Sequence, residues 1–223
     1  MATLPIYVYA VFIITFLITI SAFSRATPKP QLVMILLVIL AGVQGALSLS
    51  GFYLQFHSTP PRFPILLIAP TIAIILLFVT KKGLHFIDGM NIKTLCIMHT
   101  IRIPVELVLY WLALHKTLPQ LMTFEGRNWD ILSGLTAPLI YYFGFVKNKL
   151  NQRILIGWNL LCLGMVLNVM INGILSVPSP LQKFAFEQPN IAVLYFPFVL
   201  LPVVIVPVVI FAHLVSLRKL FKG

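Results

Sequence analysis

The sequence is poor in charge. Only 9% of its 223 residues are Asp, Glu, Lys or Arg, and just five are acidic. A soluble domain carries about 25% charged residues. That scarcity excludes a soluble globular enzyme, a disordered chain and a nucleic-acid-binding domain. Cysteine is nearly absent as well. Cys96 and Cys162 both sit inside apolar runs, with no CxxC and no Cys/His cluster of metal spacing, so they read as small core hydrophobes. Neither GxGxxG nor a P-loop occurs, which argues against nucleotide chemistry. There is no HExxH, no GxSxG and no pair of carboxylates on one element. The chain also lacks a basic N-terminal region: Met1–Pro5 lead straight into apolar residues. The first apolar stretch therefore reads as a span and not as a cleaved signal.

What is present in excess is hydrophobicity, 60% of residues, with a mean hydropathy of +1.01. A bilayer core takes about 20 mostly apolar residues per helix. Seven stretches qualify: 5–23, 32–56, 63–80, 92–114, 129–146, 154–177 and 191–217. Proline and polar clusters separate them, among them Pro28 and Pro30, Pro60 and Pro61, and Pro178, Pro180 and Pro189. None alternates with period two, which excludes barrel strands. The expected fold is all-α, one seven-helix transmembrane bundle over residues 1–223.

The net charge of +11 follows the same topology. Alternate connections divide the cations unequally. One side holds Arg25, Lys29, Lys81, Lys82, Lys93, Lys147, Lys149, Arg153, Arg218, Lys219 and Lys222. The other holds Arg62, Lys116, Arg127 and Lys183. The positive-inside rule then puts the N-terminus outside and the C-terminus in the cytoplasm, in a plasma membrane or bacterial inner membrane. No acidic or nucleic-acid partner is needed to explain the charge. Seven helices with an outside N-terminus is also the topology of rhodopsins. The retinal-binding lysine is missing from 191–217, so the similarity ends at topology.

The fourth span carries the main signal. His99, Arg102 and Glu106 fall at i, i+3 and i+7 on one helix face. Ionisable side chains in a span are costly, face the bundle interior and mark a functional site by default. Pro104 removes a backbone donor and frees the Thr100 carbonyl beside that face. The competing expectation is that Arg102 and Glu106, i and i+4, simply pair. Asn159, Asn168 and Asn172 of the sixth span and Tyr141 of the fifth are expected to join the polar face, or else to glue helices by amide hydrogen bonds. Gln44 lies at similar depth.

A second polar concentration precedes the fifth span. Glu125, Arg127, Asn128 and Asp130, with His57 and His115 at the same level, form a candidate outer mouth. Locally, Asn128 reads as a helix cap, and Asp130 suits the positive end of the helix dipole. Glu125 and Arg127 otherwise read as a surface ion pair. Pro197, Pro202 and Pro207 bend the last span, and His213 reads as interfacial. The expected function is binding or transport of a small polar or anionic molecule or of protons, with the bilayer as the constant partner. The alternatives are a non-catalytic subunit of a homo- or hetero-oligomer and an intramembrane enzyme acting on a lipid or isoprenoid. No catalytic residue, metal or cofactor is assigned.

Overall fold

A computed structural model describes residues 4–56, 58 and 60–222. The protein is all-α, 72% helical, with no strand among the described residues. The helices are α1 (Ile6–Arg25), α2 (Pro30–Leu49), α3 (Ile65–Val79), α4 (Lys81–Asp88), α5 (Ile92–Met98), α6 (Arg102–Leu114), α7 (Ile131–Tyr141), α8 (Gln152–Ile174) and α9 (Val206–Lys222). Five helical rods are long and apolar enough to cross a membrane: α1, α2, α5 running into α6, α8, and α9 with its leading turn. α3 and α4 meet at 91°, and the helix Ile131–Val146 is apolar but shorter.

The exterior is apolar, and the largely apolar interior encloses a small polar cluster. Exposed faces carry Ile13, Ile14 and Leu17 on α1, Ile35, Leu36 and Ile39 on α2, and Ile68, Ile72 and Ile75 on α3. The interior holds His99, Arg102, Glu106, Asn159 and His213. Water would penalise so large an apolar exterior, and a bilayer accommodates it. α9 is the central element, with 72% of its apolar stretch buried against 22% for α2. It packs along α8 and against α5, while α1 packs on α5 and α6.

Several boundaries depart from the sequence expectation. The second span stops at Leu49, not Phe56, because Gly51 turns left-handed at φ +74°. The chain folds back through the short helix Phe52–Leu54, burying Tyr53, whose hydroxyl hydrogen-bonds Gln44. Gln44 is thereby occupied away from the polar face. The third span does not end in a loop: Thr80 caps α4 by accepting the Gly83 N–H at 3.1 Å. Gly83 is required there, since a Cβ would lie 2.4 Å from the Leu77 carbonyl oxygen. The last helix starts ten residues later than expected, at the π turn Leu201–Ile205, and runs to Lys222. Pro197 and Pro202 cannot donate to a helical ladder, which delays it.

The two ends of the bundle are distinct. At one end the Asn91 N–H donates to the Ala26 carbonyl, and Lys219 donates to those of Asp88 and Met90. This brings the end of α1, α4, the start of α5 and the end of α9 together. At the other end the Thr117 carbonyl accepts from Ile191 and Ala192, and the Arg127 carbonyl from Asn168.

Candidate functional site

The α5–α6 rod is broken where the sequence places its charges. Residues His99–Ile101 form a 3-10 turn, one turn before Pro104, whose missing N–H leaves the Thr100 carbonyl without its helical partner. His99, Arg102 and Glu106 all turn inward from this break, at 0%, 2% and 1% exposure.

Arg102 is the hub. Its Nη1 donates to Asp130 Oδ1 at 2.7 Å and lies 3.5 Å from the Cys162 carbonyl. Its Nη2 lies 3.0 Å from His213 Nε2. A guanidinium only donates, so His213 Nε2 is the acceptor and the ring proton sits on Nδ1. That proton is donated to Asn159 Oδ1 at 2.9 Å. The Asn159 amide is oriented in turn by donating to the Leu155 carbonyl, 2.9 Å away. The tautomer of His213 is thus fixed by three successive contacts.

Asp130 reaches Arg102 because α7 approaches closely. Gly134 faces the break, and a Cβ there would lie 2.9 Å from Ile103 Cγ1 and 3.0 Å from the Ile103 nitrogen. Ser133, one turn from Asp130, lies 3.4 Å from the same Oδ1. Asp130 therefore serves the bundle interior and not an outer mouth; its side chain makes no helix-capping hydrogen bond.

Glu106 does not pair with Arg102, contrary to one sequence expectation. Its two oxygens lie 2.8 and 2.7 Å from Asn128 Nδ2. The amide is again unambiguous: Oδ1 accepts the Asp130 N–H at 2.9 Å, and Nδ2 also donates to the Met122 carbonyl. The Asn128 side chain thus ties the Glu106 carboxyl group to the backbone N–H of Asp130.

His99 completes the cluster without a hydrogen bond. Its ring stacks on His213 at 3.9 Å and 8°, with Trp158 edge-on to both at 5.7 Å. The Trp158 indole donates to Thr136 at 2.9 Å. Both His99 ring nitrogens, and Arg102 Nε, have no partner among the described residues. Buried polar atoms are satisfied with few exceptions, so these mark where the cluster has capacity to spare.

Of the other candidate residues, Asn168 is exposed and binds the Arg127 carbonyl, and Asn172 donates to Asn168 at 3.0 Å. Asn168 thus ties α8 to the loop before α7, Asn172 pairs within α8, and neither hydrogen-bonds Arg102. Tyr141 is half-buried and His115 half-buried at the far end. Glu125 and Arg127 are exposed; Arg127 lies over the Phe184 ring at 5.7 Å, and the ion pair expected between them does not form. His57 lies outside the described residues. His213 and Trp158 are the members that sequence reasoning passed over. The available signal was depth: His99 and His213 both fall in the same half of their spans.

Chemically, one permanent cation faces two carboxyl groups inside a space closed to solvent. Such a site can hold a proton or exchange it, and its net charge then changes by one. Among the described residues no group of three or more His, Cys, Asp or Glu side chains has a metal-binding arrangement. Neither a cavity lined by Phe63, Met122 and Asn190 nor a larger groove between α2 and α3 is lined by Glu106 or His99.

Nothing matches the chain among curated proteins or among solved structures. Residues 60–221 match a family described as a domain of unknown function, DUF8737. All the residues of the cluster lie inside that match, and the chain belongs to this family.

Proposed function

We propose that this chain is a seven-span plasma-membrane protein whose buried cluster binds a proton on Glu106 and couples it to movement of a small polar or anionic solute. In this reading α3 and the short α7 helix each count as a span, α4 turns away from α3 at 91° outside the apolar layer, and the end rich in Lys and Arg faces the cytoplasm. One observation carries the proposal: Arg102 is already matched by Asp130 at 2.7 Å, so the second buried carboxyl, Glu106, has no cation of its own. Burying an unmatched carboxylate in a bilayer is expensive, and a proton removes that cost.

An amide and a guanidinium do not pass protons on by themselves. The cluster is therefore a store, not a wire, and exchange requires a helix to move. The π turns at Tyr142–Val146 and Leu201–Ile205 are places where a helix register can change.

Proteoliposomes with a trapped pH-sensitive dye test the proton step. After an outside acid jump, the wild-type protein should acidify the lumen faster than empty vesicles, and Glu106→Gln should abolish the difference. Equal rates for Glu106→Gln and wild type would remove Glu106 from the account. Reporters fused at the C-terminus and within 177–189 should report opposite sides of the membrane.

A further inference from the structure

A groove of about 1180 Å³ opens beside α2 and α3 at the end of the bundle where α4 lies. Its size exceeds the roughly 300–1,000 Å³ of small-molecule pockets. One wall is α2 from Leu32 to Leu40, the other α3 from Pro70 to Leu77, and Val208 and Phe211 of α9 form the floor. Eight residues of helix rise span about 12 Å, close to the depth of one leaflet in a hydrocarbon core of about 30 Å. The walls are apolar throughout.

The mouth is different. Lys29, Lys81 and Lys82 line it, all exposed. None of the three forms a salt bridge among the described residues. The one carboxylate in the lining, Asp88, is already taken by Arg218 at 3.2 Å and Lys222 at 2.7 Å. α4 lies across the end of α3 at 91°, which sets its lysines at the level where α3 leaves the apolar layer.

We propose that this groove holds an anionic diacyl phospholipid, with its acyl chains along α2 and α3 and its phosphate among Lys29, Lys81 and Lys82. Three cations without carboxylates, at the top of an apolar slot one leaflet deep, complement that molecule in both charge and shape. α2 packs directly on α1 and on the turn Leu201–Ile205, and the acyl chains fill the space left between it and α3. The site is separate from the Arg102 cluster and does not depend on the proton reading.

Native mass spectrometry of the detergent-purified protein, titrated with phosphatidylglycerol and with phosphatidylcholine, tests this. Phosphatidylglycerol should bind more tightly, and salt should weaken it selectively. A lysine near an anionic headgroup contributes about fivefold, so the Lys29→Gln, Lys81→Gln, Lys82→Gln triple variant should lose phosphatidylglycerol by tenfold or more and leave phosphatidylcholine unchanged. The matching triple Arg variant should keep binding. Ala73→Trp, which fills the slot, should reduce both lipids. Equal binding of the two lipids, or indifference to salt and to the Gln variant, would overturn the proposal. So would a dimer whose formation excludes lipid, since the groove would then be covered by a second copy.

Discussion

Arg102 and Asp130 are 28 positions apart in the chain and 2.7 Å apart in the bundle, both nearly inaccessible. That contact joins α6 to the start of α7 and supplies the only salt bridge of Arg102 among the described residues. Removing one partner leaves a buried charge uncompensated, which costs about 3–5 kcal/mol. Asp130→Asn should therefore lower the unfolding temperature sharply in detergent. An Arg102→Met, Asp130→Leu double variant should recover most of the loss, because apolar replacement of a whole buried pair is close to neutral. A double variant no more stable than Asp130→Asn would show that the pair does not act as a unit.

Gly134 sets the distance over which that contact forms. A methyl group at this position meets Ile103 at 2.9 Å, and overpacking costs about 1–3 kcal/mol. Gly134→Ala should be destabilising by that amount. Gly157→Ala on α8, where a Cβ meets nothing within 4 Å, should be neutral or stabilise by about 0.5–1 kcal/mol. Thermal melts of the two variants side by side distinguish close approach from helix propensity.

The two stacked histidines should respond differently to replacement. His213 accepts from Arg102 and donates to Asn159, so His213→Phe strands polar groups and should cost about 1–3 kcal/mol. His99 has no hydrogen bond to lose, and His99→Phe preserves the ring stack. It should cost well under about 1 kcal/mol. If His99→Phe keeps the fold but loses transport, the unpartnered nitrogens are functional; if it unfolds the protein, they are satisfied by something structural.

At the opposite charge centre, Asp88 lies outside the spans. Hydrogen bonds from Lys222 and then Arg218 hold its carboxyl below the usual carboxylate range. A depressed folded-state pKa stabilises the docked state above the unfolded value of about 3.9. That contribution fades as pH falls through the lower, folded value. Hydrogen exchange at the ends of α4 and α9 should therefore speed up in strong acid and stay constant near neutrality. In Asp88→Asn the acid step should disappear.

The polar face of the α5–α6 rod was legible in the sequence because charge in an apolar run has few places to go. His99, Arg102 and Glu106 could be placed on one face from periodicity alone. Their partners could not. Asn128 and Asp130 stand at a helix start, where local capping accounts for both, and only the close approach made by Gly134 turns them inward. His213 lies near the end of its span and reads as interfacial until α9 is seen at the centre of the bundle. Five of the seven apolar runs coincide with helices long and apolar enough to cross a membrane. Run ends such as that at Phe56 are misplaced, because hydropathy does not register a left-handed Gly51 or a π turn. α4 went unread, since eight amphipathic residues that begin with two lysines look like a loop.

The central claim is that Glu106, linked to Asn128 and not to Arg102, takes up a proton. Infrared difference spectra of the detergent-purified protein between mildly alkaline and mildly acid pH test it directly. A protonated-carboxyl band should appear on acidification in wild type and in Glu125→Gln, and be missing in Glu106→Gln. A band that persists unchanged in Glu106→Gln, or no such band in wild type, would contradict the account.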